Sequence, residues 1–214
     1  MGVLNVTPDS FSDGGKYFSV DAAVRHGLRM AEEGADFIDV GGESTKPGSD
    51  PLPLEEELRR VIPVLENLAK QVDIPLSVDT YKAAVADAAL HAGASMVNDI
   101  SGLSADSSMA GVISRRQASL VVMHMKGTPK TMQQNPEYTD VVAEVSGFLD
   151  RQARDAGVAG IQQVMVDPGI GFGKTLEHNI TLIKRLHEFT RLGFPLVVGP
   201  SRKSFIGTIL NLSV

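Results

Sequence analysis

The sequence predicts an alternating α/β protein whose parallel strands close into a barrel. Three observations lead there. Short apolar runs alternate with amphipathic helical stretches, glycines mark many of the joins, and the apolar runs end on polar side chains able to meet at one rim.

In chain order the apolar runs are Val3 to Asn5, Phe37 to Asp39, Leu76 to Asp79, Met96 to Asp99, Leu120 to His124, Val164 to Asp167 and Leu196 to Gly199, seven strand candidates. Helices are expected at Val20 to Glu33, Leu54 to Gln71, Tyr81 to His91, Ser107 to Arg116, Tyr138 to Ala156 and Leu176 to Leu192, with a further one starting near Ser204. Gly34, Gly93, Gly157 and Gly193 stand where a helix gives way to the next strand, a position that favours a left-handed backbone. Strands this short and apolar are expected to be covered on both faces, with right-handed crossovers between parallel neighbours.

A barrel and an open doubly wound sheet both fit this order. The polar residues that close the apolar runs favour the barrel. Asn5, Asp39, Asp79, Asn98, His124, Asp167 and the Arg202-Lys203 pair all come directly after or at the end of a run. An open sheet brings only the strands beside its switch point to a ligand, whereas a barrel gathers every C-terminal strand end.

Composition sets the outer limits. With 214 residues, 43% of them hydrophobic, the chain is long enough to bury a full core. Its 20 basic and 26 acidic residues give a net charge of -6, which disfavours nucleic acid and anionic membrane surfaces as partners. The absence of cysteine rules out disulfides and thiolate chemistry and fits a reducing cytoplasm. No apolar run is long enough to span a bilayer, and the start does not read as a signal peptide.

Pro168-Gly-Ile-Gly-Phe-Gly-Lys-Thr175 ends like a phosphate-binding loop, but Pro168 stands where that motif needs its first glycine. The run reads instead as a tight turn that brings backbone close to a flat ligand. Two polar loops, Asn5 to Gly15 and Gly41 to Gly48, come after the first two strands on the same expected rim and suit a lid.

Taken together, Asn5 to Gly15, Gly41 to Gly48, Ser77 to Lys82, Asn98 to Gly102, Met123 to Met125, Asp167 to Lys174 and Ser201 to Ser204 resemble the motifs of the dihydropteroate synthase family, in that family's order. The resemblance implies a TIM (β/α)8 barrel with strands 1 to 7 in this chain and the eighth missing, as a single domain over residues 1–214. It implies condensation of 6-hydroxymethyl-7,8-dihydropterin pyrophosphate with p-aminobenzoate, with sulfonamides as competitive ligands and a homodimer for the full-length enzyme.

Carried over by position, Asp79, Asn98, Asp167 and Lys203 form the pterin set, with Ile100, Met123 and Phe172 against the ring faces. A carboxylate such as Asp167 suits the amino and ring N–H edge of a pterin, and a lysine suits its carbonyl. Asp79 and Lys203 are the implied catalytic pair, and Asn5 is the implied Mg2+ ligand, with Asp13 acting through water. Phe11, Thr45, Lys46, Pro47, Phe172 and Ser204 are implied around p-aminobenzoate and its closing loops.

Two features depart from the family pattern. Lys46 replaces an arginine and so lacks its planar two-pronged donor geometry. The family's eighth-strand Arg-x-His is not found within the sequence, from which exposed sheet edges and weakened turnover are expected. The alternatives are a pterin-binding methyltransferase domain and a barrel that binds pterin or sulfonamide without turnover.

Overall fold

The computed structural model describes residues 1–7 and 19–212. Its order is β1 (Gly2–Asn5), α1 (Val20–Glu32), β2 (Ile38–Gly41), α2 (Leu54–Leu68), β3 (Leu76–Asp79), α3 (Ala83–His91) and β4 (Met96–Asp99), followed by α4 (Met109–Arg115), β5 (Ser119–Met123), α5 (Val141–Val158) and β6 (Val164–Asp167). The chain continues through α6 (Leu176–Lys184), a 3-10 helix (Leu186–Leu192) and α7 (Ser204–Leu210). The strands form one parallel sheet in the order β1-β2-β3-β4-β5-β6.

That order never reverses, so the sheet has no switch point. Its two faces differ sharply. Leu4, Val40, Val78, Val97, Leu120 and Val164 lie in one register row and are buried in the apolar core. The same core takes Val24, Val61, Leu65, Val85, Val145 and Leu182 from successive helices. The helices therefore cover one face only, as the outer layer of a barrel does, and the opposite face carries Asp39, Ser77, Asp79, Asn98 and Asp167.

Apart from helix ends that shift by a few residues, with α5 running through Gly157 so that the left-handed turn falls at Gly160, the structure changes three expectations. The seventh apolar run makes one parallel bridge, Val166↔Leu196, supported by Val166 N–H to Pro195 O and Val197 N–H to Val166 O, rather than a full strand. Among the described residues nothing pairs with its outer edge, and Pro200 removes a donor just beyond. Second, β1 is not covered on both faces: Leu4 is buried, while Val3 and Asn5 on its other face are exposed.

Third, the helix expected over Leu176 to Leu192 is two pieces. The tighter 3-10 winding brings residues three apart into line, so Leu186, Phe189 and Leu192 share a side and pack on the core. Arg185 at the break is held by its Nε and Nη2 bonds to Glu188. Gly193 then ends the helix at φ 80°.

Candidate active site

Polar side chains accumulate on one face of β2, β3, β4 and β6, with Asp79, Asn98 and Asp167 at or next to the strand ends and Asp39 inside β2, which runs on to Gly41 rather than ending at Asp39. Asp39 is buried, and its Oδ2 accepts from Asn98 Nδ2 at 2.8 Å, which joins β2 to β4 across β3. Asp39 Oδ1 and Ser77 Oγ, on register-paired residues, are buried without a hydrogen-bond partner. Burial pushes the Asp39 carboxyl up, against the opposing pull of the nearby Ser77 hydroxyl, which is not placed for a hydrogen bond of ordinary geometry, and of the Asn98 amide.

Half-buried Asp79 is pushed well above the usual carboxylate range, first by desolvation and then by the negative charges of Asp39, Glu57, Asp99 and Glu43. Asp99 itself is spent on structure: its carboxylate accepts from the Ser101 amide and hydroxyl and from the Leu103 amide, closing the turn after β4.

Beneath this rim sits a buried ionic network. The Lys82 ammonium donates to Glu43 and Glu57 at 2.5 Å each and to the Leu52 carbonyl at 2.7 Å. Thr80 Oγ1 donates to Glu57 at 2.7 Å, and Tyr81 Oη donates to Glu43. The loops after β2 and β3 are thus anchored to α2. Tyr81 and Lys82 are drawn into these bonds, and the third helix begins at Ala83 rather than at Tyr81.

On the β6 side, Asp167 Oδ1 accepts from the Gly169 amide at 2.7 Å. Burial raises Asp167 to about 6, against the opposing pull of that amide, Lys174 and Lys203. Lys203 lies over the Phe172 ring with its Nζ 4.0 Å from the centroid. Burial lowers its pKa, while Asp167 and Asp79 act to raise it, so the cation faces both carboxylates.

The glycine-rich run after β6 is a backbone-to-backbone contact. Gly169 has φ +67°, and a Cβ there would lie 2.0 Å from the His124 carbonyl oxygen. Gly169→Ala is therefore expected to unfold this turn and lower the melting temperature by several degrees in a thermal denaturation series; an unchanged Tm would contradict the close approach. Thr175 is not a metal ligand of a phosphate loop. It caps α6, accepting from His178 N–H at 3.2 Å while His178 Nδ1 accepts from the Thr175 amide.

A family model for pterin binding enzymes matches residues 1–214. A dihydropteroate synthase of Synechocystis sp. is 50% identical, over 99% of this chain and 74% of the relative. The chain belongs to the dihydropteroate synthase family. The solved structure of the Yersinia pestis dihydropteroate synthase with a sulfonamide drug aligns at TM-score 0.92 and 45% identity, covering 99% of this chain and 77% of that one. That of the Xanthomonas albilineans enzyme in complex with 7,8-dihydropteroate aligns at TM-score 0.87 and 45% identity, covering 100% and 76%.

Of the positions matched to dihydropteroate synthase motifs, Asp79, Asn98, Asp167 and Lys203 come together at one rim, with Phe172 beneath Lys203. Ile100 and Met123 are buried, and Met123 is register-paired with Asp167. Asn5 is exposed at the end of β1.

Thr45 is half-buried, while Lys46, Pro47 and Ser204 are exposed. The loop that carries Thr45, Lys46 and Pro47 bonds within itself and outward to Arg60, Lys82, Pro129 and Lys130, rather than to Ser204 or Phe172. Phe11 and Asp13 lie outside the described residues. Two members of the rim were not picked out as site residues from sequence, Asp39 and Lys174. Asp39 stands out in the sequence as a polar residue closing an apolar run, and Lys174 as the last residue of the Asp167 to Lys174 motif and of a failed phosphate-loop match.

Proposed function

We propose that the chain is a dihydropteroate synthase, condensing 6-hydroxymethyl-7,8-dihydropterin pyrophosphate with p-aminobenzoate to give 7,8-dihydropteroate and pyrophosphate. The observation that supports this reading is the convergence of two carboxylates, an amide and a lysine on one rim: Asp79, Asn98, Asp167 and Lys203. With its pKa near 6, Asp167 is anionic at neutral pH and accepts the paired donors of the pterin edge. Asn98 Nδ2 is committed to Asp39, which leaves Asn98 Oδ1 for the ligand. Lys203 donates to the pterin carbonyl side while Phe172, Ile100 and Met123 enclose the ring.

In the reaction the bond between the pterin methylene and the diphosphate oxygen breaks, and its electron pair leaves with diphosphate. The arylamine lone pair forms the new C–N bond, and the amine then loses a proton to the departing diphosphate or to water. Asp79 is held toward its neutral form by burial and neighbouring carboxylates in the free protein, and a positive charge developing beside it favours the ionised form that stabilises that charge. Phe11, Thr45, Lys46, Pro47, Phe172 and Ser204 are the residues proposed to enclose p-aminobenzoate, and sulfonamides to compete for the same place.

The described residues hold no group of three or more acidic or histidine side chains able to bind a metal. Exposed Asn5 supplies one neutral oxygen, which suits a Mg2+ whose other ligands are water and substrate phosphate. When bound, Mg2+ would neutralise the leaving diphosphate. The composition, without cysteine, supports a cytoplasmic setting, and exposed Leu176, Ile183, Ile209 and Leu210 support a homodimer. No described helix is long and apolar enough to cross a membrane.

A coupled pyrophosphate-release assay tests the function. Release that requires both substrates and Mg2+, and that a sulfonamide inhibits competitively with p-aminobenzoate, is the expected result. No release above the blank, with pterin still bound, would reduce the chain to a binding module.

A further inference from the structure

Two features of the sequence take no part in this chemistry: the lysine of the Gly-Lys-Thr run and the histidine after Met123. In the fold they are partners. Lys174 is only 3% exposed, and its ammonium meets three acceptors, His124 Nδ1 at 3.0 Å, the His124 carbonyl at 3.2 Å and the Phe172 carbonyl at 2.9 Å. All three are neutral, because burial, with Lys174 alongside, holds the His124 ring down to about 3. A buried cation whose hydrogen bonds all go to neutral groups, with Asp167 as a nearby anion, is costly to fold around, so an apolar side chain would serve better if filling space were the whole task.

The bonds span two loops that carry the site. His124 comes directly after Met123, and its amide donates to the Asp167 carbonyl at 3.0 Å. Phe172 sits in the loop after Asp167, beneath Lys203. We propose that Lys174 is a positioning residue of the pterin site, a buried clasp that ties the end of β5 to the loop after β6 and supplies Asp167 with a nearby positive charge. The proposal rests on the pterin reading given above.

Its electrostatic half sets the test. Asp167 faces the Gly169 amide, Lys174 and Lys203; Lys203 also faces Asp79, and Lys174 also faces Lys203, which lowers it further, and the His124 ring, near which Lys126 and Tyr138 lie. Burial lowers Lys174 to about 7, so it is mostly cationic near pH 6, where Asp167 takes up its proton, and about half so at pH 7. Removing that charge lets the Asp167 pKa rise, and the pH below which pterin binding is lost moves up.

Calorimetric titration of 6-hydroxymethylpterin from pH 5 to 8 compares the wild type with Lys174→Met and Lys174→Gln. Lys174→Met is expected to bind about ten-fold or more weakly at pH 7, with its acid midpoint above that of the wild type. Lys174→Gln, which keeps donors without charge, should recover part of the affinity and keep the shifted midpoint; it carries the test if the methionine variant does not fold. Wild-type affinity and midpoint in both variants, even with a lowered melting temperature, would overturn the clasp as a positioning device. Failure of the wild type itself to bind the pterin would overturn the underlying pterin reading, and the inference with it.

Discussion

Asp167→Asn is expected to weaken pterin binding about ten- to hundred-fold, the cost of about 1–3 kcal/mol for an unmatched buried hydrogen-bonding group. The carboxylate offers two acceptor oxygens, one of which already takes the Gly169 amide at 2.7 Å. An amide either loses that internal bond or turns its NH2 toward the donors of the ligand, and neither arrangement restores both contacts.

The pH dependence gives a second signature. Asp167 is raised to about 6, so the accepting anion is present above that pH and is lost as pH falls through it. Wild-type affinity should therefore decline from pH 7 to pH 5, while the asparagine variant, which has no proton to take up there, should lose that part of the dependence. Titration calorimetry with 6-hydroxymethylpterin measures both effects. Equal dissociation constants at pH 7 would remove Asp167 from the site.

Lys82→Met should be the most damaging single change to stability. It would leave Glu43 and Glu57, whose side chains are 6% and 1% exposed, facing one another without the cation that pairs them. Breaking a buried ion pair by deleting one partner costs about 3–5 kcal/mol. For a domain of this size each kcal/mol moves Tm by about 2–4 °C, so a fall of roughly 10 °C is expected.

Lys130→Met provides the control. Its partner Asp50 is 77% exposed and Lys130 itself 60%, so solvent screens the pair and no resolvable change in Tm is expected. Differential scanning calorimetry on the two variants decides the matter. Equal melting temperatures would mean that the Glu43–Lys82–Glu57 network adds nothing beyond a surface contact.

Much of the fold was legible because its signals are local. The strand runs are apolar and short, the helices carry apolar residues at helical spacing, and glycine or a capping side chain marks their ends. Asp140 illustrates the limit. The helix expected from Tyr138 begins at Val141, because the Asp140 side chain accepts from the Val142 and Ala143 amides and sets the boundary there. Tyr138 is used elsewhere: its hydroxyl donates to the Gly173 carbonyl at 2.8 Å, a contact between residues 35 apart that no periodicity encodes.

The candidate site divides the same way. Residue types at strand ends were readable, since a polar side chain closing an apolar run stands out, and the order of the motifs carried the family resemblance. The environments of those side chains were not. The bond from Asp39 to Asn98 crosses 59 positions, and that from Lys174 to His124 crosses 50.

The amino-acid sequence by itself determined the alternation of strand and helix, the polar strand ends and the chemistry available at them, because each depends on residues a few positions apart. Tertiary structure decided that all helices cover one face, that the seventh run forms a single bridge, and that Lys174 is a buried clasp rather than a phosphate ligand. Those outcomes depend on which backbone lies alongside which, and on how much water burial removes from each charge.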